Sequence, residues 1–244
     1  MKINIMLSDG LGNQMFQFAF GKMLEKKYNC ELFFEYKPSK VRKYMLDIFD
    51  IAEKKLDKNI KCIDKIYYGS YENDSNFPYN FLDKNTNYSF SGYFQNENYF
   101  LEISEEIRNT FFLKNTIEIQ EDYLVVQVRR TDYVKNKNFL VCDLDWYNKA
   151  INEFGNINKV IFISDDLNWC ISNFSSNKKE YVFLDLNEKD TLALLQHSKN
   201  FVISNSSFAW WGAWLSKSKN IIHPKTWFLG DLSWDLGVKN WKRL

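Results

Sequence analysis

Histidine is almost missing from this chain: His197 and His223 are the only two in 244 residues, too few for a histidine-rich metal centre and poor material for a Ser-His-Asp triad. Cysteine is sparse as well. Cys30, Cys62, Cys142 and Cys170 stand far apart with no Cys-x-x-Cys pair, which argues against a zinc ribbon or disulfide framework and for reduced thiols. No apolar run reaches the roughly 18 residues of a membrane span. Met1 leads straight into Lys2-Ile3-Asn4-Ile5-Met6-Leu7 without a signal-peptide pattern. The expectation is a cytoplasmic protein with no integral membrane segment, compatible with peripheral association at the inner membrane face. Charge of one sign is lacking too: 32 Lys and Arg against 31 Asp and Glu leave a net charge of +1, so no global field draws the chain to nucleic acid or anionic lipid. Any basic site must be local. There is no internal repeat, Pro/Gly-rich linker or low-complexity tract. Tryptophan is absent from the first half, all eight lying from Trp146 onward, while Phe, Tyr, Lys and Asn enrich the first half. That shift suggests two lobes, expected at residues 1–120 and 121–244.

With 45% hydrophobic and 18% aromatic residues, the chain has material for a sizeable core in one to two domains. Lys2 to Leu7 reads as a short strand, Gly10-Leu11-Gly12 as a tight turn, and Met15, Phe16, Phe18, Ala19, Met23 and Leu24 recur at helical spacing. Glu31 to Tyr36 reads as the next strand, completing a β-α-β unit. From Lys37 to about Ser89 the pattern weakens. Beyond it, apolar runs at Tyr123–Val128, Val160–Ile163, Tyr181–Leu184, Phe201–Ile203 and Ile221–Ile222 alternate with helical stretches at Trp146–Phe154, Leu167–Asn173, Asp190–His197 and Phe208–Leu215. Short apolar strands separated by helices imply a parallel sheet covered on both faces, whose ligands bind at the carboxyl ends of strands.

Four polar clusters fall at such ends. Gly10-Leu11-Gly12-Asn13-Gln14 could bring backbone close to an anion at a helix start, although it lacks the third glycine of a dinucleotide fingerprint and the Lys of a P-loop. A capped turn is the plainer reading. Arg129-Arg130-Thr131-Asp132-Tyr133 puts two guanidinium groups after a buried strand. Their fork suits phosphate, and alternation along an extended segment sends one to a ligand and the other to a carboxylate such as Asp132. In Ser164-Asp165-Asp166, Asp166 fits a helix cap and Asp165 remains available to a ligand. Ser204-Asn205-Ser206-Ser207-Phe208 can cap a helix or donate to phosphate or ribose, and the tryptophans that follow fit core packing. Asp143-Leu144-Asp145 matches a divalent-metal Asp-x-Asp pattern, but the helix beginning at Trp146 favours capping, so no metal site is assigned.

Taken together, Gly10-Leu11-Gly12-Asn13-Gln14-Met15-Phe16-Gln17, Arg129-Arg130-Thr131-Asp132-Tyr133, Ile163-Ser164-Asp165-Asp166 and the run from Asn205 to Leu215 resemble glycosyltransferase family 11, the α-1,2-fucosyltransferases. The resemblance implies an α/β fold of GT-B type, with two facing Rossmann-like lobes and a shortened N-terminal lobe that takes the acceptor. It also implies inverting transfer of fucose from GDP-fucose to the 2-hydroxyl of a galactose-terminated surface glycan, with neither cofactor nor metal. Arg129 would then be the principal contact to the donor β-phosphate and Arg130 a supporting one. Asp132 or the β-phosphate oxygen would serve as base. Gln127, Asp165, Asn205, Ser206, Ser207 and Phe208 would join the donor site, Gly10, Gly12, Asn13 and Gln14 would close over the diphosphate, and Asp190 would read guanine or cap its helix. Gln127 stands where the family's motif carries a histidine. The rivals are another nucleotide-sugar transferase of the same fold and a non-catalytic carbohydrate binder, the latter suggested by the tryptophans and by Gly92-Tyr93-Phe94-Gln95.

Overall fold

Two stretches of sequence with clear strand-helix alternation become two parallel sheets. The computed structural model describes residues 1–36, 42–51, 65–68, 82–114, 122–229, 236 and 238–244. The chain forms two compact units, Met1–Phe111 and Phe112–Leu244. The division expected between residues 120 and 121 lies outside the described residues.

In the first unit, β1 (Lys2–Leu7), α1 (Leu11–Tyr28) and β2 (Glu31–Tyr36) form as the periodicity predicts, followed by β3 (Lys65–Tyr68), β4 (Tyr88–Ser91) and the short α2 (Ser104–Thr110). The sheet is parallel throughout, in the order β2-β1-β4-β3. Ile3, Ile5 and Leu7 of β1 are buried, and α1 buries Met15, Phe16, Phe18, Ala19, Phe20, Met23 and Leu24, nearly its whole circumference. Gly21 is what lets α1 lie so close to the sheet, since a Cβ there would stand 2.8 Å from Ile5 Cγ1 and 3.1 Å from Phe34 Cε1. Asn29, left-handed at φ 48°, ends the helix, and Lys26 and Lys27 in its last turn complement the dipole.

The second unit runs β5 (Tyr123–Val128), α3 (Leu144–Asn152), β6 (Lys159–Ser164), α4 (Leu167–Asn173), β7 (Glu180–Phe183), α5 (Glu188–His197), β8 (Asn200–Ile203), α6 (Ser207–Leu215), β9 (Asn220–His223) and β10 (Lys242–Arg243). Its six parallel strands take the order β10-β9-β8-β5-β6-β7. Counted from β5 this is the doubly wound order of dinucleotide-binding folds, with the reversal between β5 and β8. Leu124, Val126, Val128, Phe162, Val202 and Ile222 form one buried face against Tyr147, Ala150 and Ile151 of α3 and Cys170 of α4. α5 and α6 pack on each other so tightly that a Cβ at Gly212 would come within 2.4 Å of Leu195 Cδ1. Trp210, Trp211 and Trp227 are wholly buried, and Trp210 stacks on Trp214 at 5.8 Å. They are core, as their position predicts. Among the described residues no helix is long and apolar enough to cross a membrane.

Candidate functional site

The reversal between β5 and β8 collects the second unit's polar clusters. Gln127 and Ser204 sit at the ends of these neighbouring strands, both buried, and the Ser204 hydroxyl donates to Gln127 Oε1 at 2.8 Å. Gln127 therefore ties two strands together rather than projecting its amide oxygen outward. Tyr147 of α3 is fully buried beside Ser204 and the Arg129 main chain. Its hydroxyl makes no hydrogen bond of good geometry there, and burial pushes the phenol well above the usual tyrosine range.

Directly after β5 come the two arginines, and both are paired with carboxylates. Arg129 bonds Asp132 and, at 2.9 Å, Asp165, with its guanidinium 5.0 Å from the Tyr133 ring centroid. Arg130 bonds Asp166 at 3.4 Å and lies 3.8 Å over the Trp169 ring, a cation-π contact. The expected division, with one arginine free for a ligand and the other held by Asp132, is thus not what forms. The reason is local: the chain turns at once, with Val134 N-H donating to the Arg130 carbonyl at 2.9 Å, so the alternation of an extended strand no longer applies. Asp165 is not left open either. It accepts from the Arg130 main-chain N-H at 2.9 Å and from the Thr131 hydroxyl, making it the anchor of the turn. Asp166 caps α4 as predicted, accepting from Trp169 N-H at 3.2 Å.

Across the reversal, α6 begins. Ser206 is its cap, accepting from Ala209 N-H, and no acidic residue occupies its first turn, so Ser207 and Phe208, both half-buried, stand at a helix end that favours anions. Asn205 joins segments of the fold instead, its Nδ2 donating to the carbonyls of Leu140 at 2.8 Å and Trp227 at 2.7 Å. On α5 the cap is Asn187, not Asp190. The helix opens at Glu188, and Asp190 Oδ2 accepts from Asn187 Nδ2 at 2.7 Å, a reciprocal capping pair. Asp143 caps α3, accepting from Trp146 N-H at 2.8 Å, with Asp145 in the first helical turn.

In the first unit, α1 starts at Leu11 with Gly10 as an extended cap residue at φ −77°, a conformation open to any residue. Gln14 is fully buried, and its amide is spent on the main chain: Nε2 donates to the Asp9 and Lys43 carbonyls, each at 2.8 Å, and Oε1 accepts from Met45 N-H at 3.0 Å. It cannot also serve a ligand. One turn on, Gln17 does the same for Ser8 N-H at 2.9 Å and the Gly92 carbonyl at 2.9 Å. In the sequence Gln17 shows only as part of a motif. A buried amide one helical turn after another is the signal that marks both as loop anchors. Asn13 is half-buried and accepts from Gln95 Nε2 at 2.7 Å.

Two Rossmann-like units of parallel strands, the first the smaller, give the chain a fold of GT-B type, with an arginine and helix-terminus cluster at the reversal of the second. The glycosyl transferase family 11 model matches residues 1–233, and the chain belongs to that family. It is 26% identical to the O-antigen biosynthesis glycosyltransferase WbnK of Escherichia coli, over 98% of this chain and 99% of that protein. It is 29% identical to the alpha-1,2-colitosyltransferase of Escherichia coli, over 98% and 97% respectively. Among solved structures, POFUT1 in complex with GDP-fucose shares the fold, with a TM-score of 0.51 at 12% identity over 90% of this chain and 97% of that one.

Proposed function

We propose that this glycosyltransferase transfers fucose from GDP-fucose, with inversion and without a metal, to the 2-hydroxyl of a galactoside in a surface polysaccharide. The observation that carries the reading is that the pair of arginines after β5 and the acid-free start of α6 after β8 both stand at the carboxyl ends of neighbouring parallel strands, on either side of one strand reversal. Arg129 and the N-H groups at Ser207 and Phe208 stabilise the diphosphate as the bond from the sugar's anomeric carbon to the β-phosphate oxygen breaks and its electron pair stays on phosphate. The acceptor oxygen bonds to the anomeric carbon from the opposite side. Its proton passes to Asp132, which the diphosphate releases from Arg129, or to the departing β-phosphate oxygen.

Two guanidinium groups here meet three carboxylates, Asp132, Asp165 and Asp166. A diphosphate must therefore displace one of them. Asp132, whose side chain is 56% exposed against 21% for Asp165, gives way, while Asp165 keeps its hold on the Arg130 main chain. The likeness to WbnK supports a polysaccharide acceptor. The likeness to the alpha-1,2-colitosyltransferase favours a second reading, colitosyl transfer with the same linkage.

The test assays GDP-fucose, GDP-colitose, GDP-mannose and UDP-sugars side by side with a galactoside, with and without EDTA, in the native protein and in Arg129→Ala. Fucosyl transfer that survives EDTA and falls about 100- to 1000-fold in the folded variant is expected. Near-normal turnover by Arg129→Ala would remove the arginine from the mechanism, and strict dependence on added Mn or Mg would reinstate Asp143 and Asp145.

A further inference from the structure

One side chain at the second unit's reversal has a polar group that nothing satisfies. Tyr147 of α3 has no exposed surface, and its hydroxyl closes no hydrogen bond of good geometry among the described residues. The ring is held on several sides. It stands edge-on to Trp146 at 5.1 Å and to Phe174 at 5.9 Å, and Val128, Cys142, Ala150 and Cys170 belong to the same core. The helix that carries it is anchored as well, through the Asp143 cap and the Tyr147 N-H, which donates to the Asp143 carbonyl at 3.2 Å. The phenol is therefore placed by the core, and any partner must come to it.

A buried hydroxyl that bonds nothing is costly, and most such groups in folded proteins are paired. Two polar neighbours are near enough to matter. The Ser204 hydroxyl and the Arg129 main chain both favour the phenolate, although burial outweighs them and raises the phenol well above its usual range. What Ser204 can still do is set by its other bonds. It has one hydroxyl proton and gives it to Gln127 Oε1 at 2.8 Å, while its N-H donates to the Gln127 carbonyl at 3.2 Å. The Ser204 oxygen can then only accept, and a phenol is the donor that suits it. A chain from Tyr147 through Ser204 to Gln127 thus has a place for every proton and lacks only its first bond. Reversing the Gln127 amide turns the chain round and leaves the same bond unmade.

The place of that bond gives it a use. Arg129 is the first residue beyond β5 and Ser204 the first beyond β8, two strands paired through Gln127 and Ile203. These chain ends lead to the two halves of the donor site proposed above, the Arg129 guanidinium and the start of α6 at Ser207. A diphosphate held by both halves loads both ends at once. We propose that Tyr147 is a positioning residue for the nucleotide diphosphate: its hydroxyl, unpaired in the free protein, bonds Ser204 when the diphosphate draws the ends of β5 and β8 into their working places. Because the bond exists only with ligand bound, it adds to affinity and orients Arg129 and α6 without touching the substrate. Tyr147 forms no covalent bond and gives up no proton. The inference rests on the GDP-sugar reading above.

The experiment uses the full chain, Tyr147→Phe, Ser204→Ala and the double variant. Phenylalanine keeps the ring and removes only the hydroxyl. Thermal melts without ligand are set beside calorimetry with GDP and the KM of donor and acceptor. Without ligand, Tyr147→Phe is expected to melt no lower than the native protein, since it loses an unpaired group. Its GDP affinity should fall about threefold to tenfold, the worth of one hydrogen bond. Donor KM should rise with it, while acceptor KM stays within about twofold. The double variant should lose no more GDP affinity than Ser204→Ala alone, because the two groups are partners in one bond. A lower ligand-free melting temperature for Tyr147→Phe would show the hydroxyl already paired and overturn the proposal. GDP affinity untouched by Tyr147→Phe, or fully additive losses in the double variant, overturns it too. Where the native protein binds GDP and transfers the sugar, those outcomes leave the donor reading standing. A native protein that binds no GDP fails the donor reading and the role of Tyr147 with it.

Discussion

Gln14 and Asn13 are neighbours in one motif, yet only one of them holds the protein together. Gln14 satisfies two main-chain carbonyls and one N-H from inside the core, so Gln14→Ala strands one buried group, the Met45 N-H, and two part-buried carbonyls. At about 1–3 kcal/mol for each unsatisfied group, partly relieved by relaxation, the loss should be about 2–4 kcal/mol. Asn13→Ala removes one half-buried link to Gln95 and should cost less than about 1 kcal/mol. Urea unfolding of the two variants checks the contrast, and equal stabilities would refute it. The same distinction explains what single residues can and cannot reveal in the sequence. Asp143 and Asp166 are legible as caps because each precedes a helix by its own residue type. Gln127, Asn205 and Gln14 are not legible as internal ties, because an amide's partners are main-chain and hydroxyl groups from remote segments, which leave no local mark.

At the level of elements, the packing of α5 on α6 hangs on the absence of one side chain. Adding a methyl group at Gly212 would place it 2.4 Å from Leu195 Cδ1 and 2.6 Å from Leu195 Cβ, and the second of these atoms cannot swing aside. Gly212→Ala should therefore push the helices apart at a cost of about 1–3 kcal/mol, even though alanine is the better helix former by about 1 kcal/mol. Gly10→Ala meets no clash at its added Cβ from beyond its chain neighbours, but Gly10 caps α1, where alanine is less favoured than glycine, so the loss should be the smaller one, about 0.5–1 kcal/mol. A thermal melt that ranks the two variants the other way would contradict this. The elements legible in the sequence are those with an apolar run long enough to show a period: β1, β2 and β5 match their expected ranges, and α1 contains the residues expected to recur at helical spacing. β4 is hidden because Tyr88-Ser89-Phe90-Ser91 alternates while lying in the middle of a sheet, where Ser89 is buried and bonded to Asn4 rather than exposed. α2 escapes because Ile107 alone anchors its seven residues in the core.

For the molecule as a whole, burial sets an alkaline limit. Burial pushes the thiols of Cys30 and Cys170 up to about 11 and that of Cys142 up to about 12, from an ordinary value of 9.0. Each folded thiol holds its proton more tightly than the unfolded chain does. Their contribution to stability is therefore complete below pH 9 and is lost as pH rises from 9 through 11 to 12. The melting temperature should be flat between pH 7 and 8.5 and fall by about 5–10 °C by pH 10.5; a flat profile to pH 11 would count against it. One last property follows from the parallel topology. Neither sheet reverses between strands adjacent in sequence: β1 lies beside β4, where Asn4 and Ser89 are 85 residues apart, and β5 beside β8, where Gln127 and Ser204 are 77 apart. Pairings of such span close late and slowly, since the chain entropy of a long loop must be overcome before contacts compensate it. During synthesis, neither reversal exists until its distant second strand has been made, so a partly built unit lacks the place at which ligands of such sheets bind.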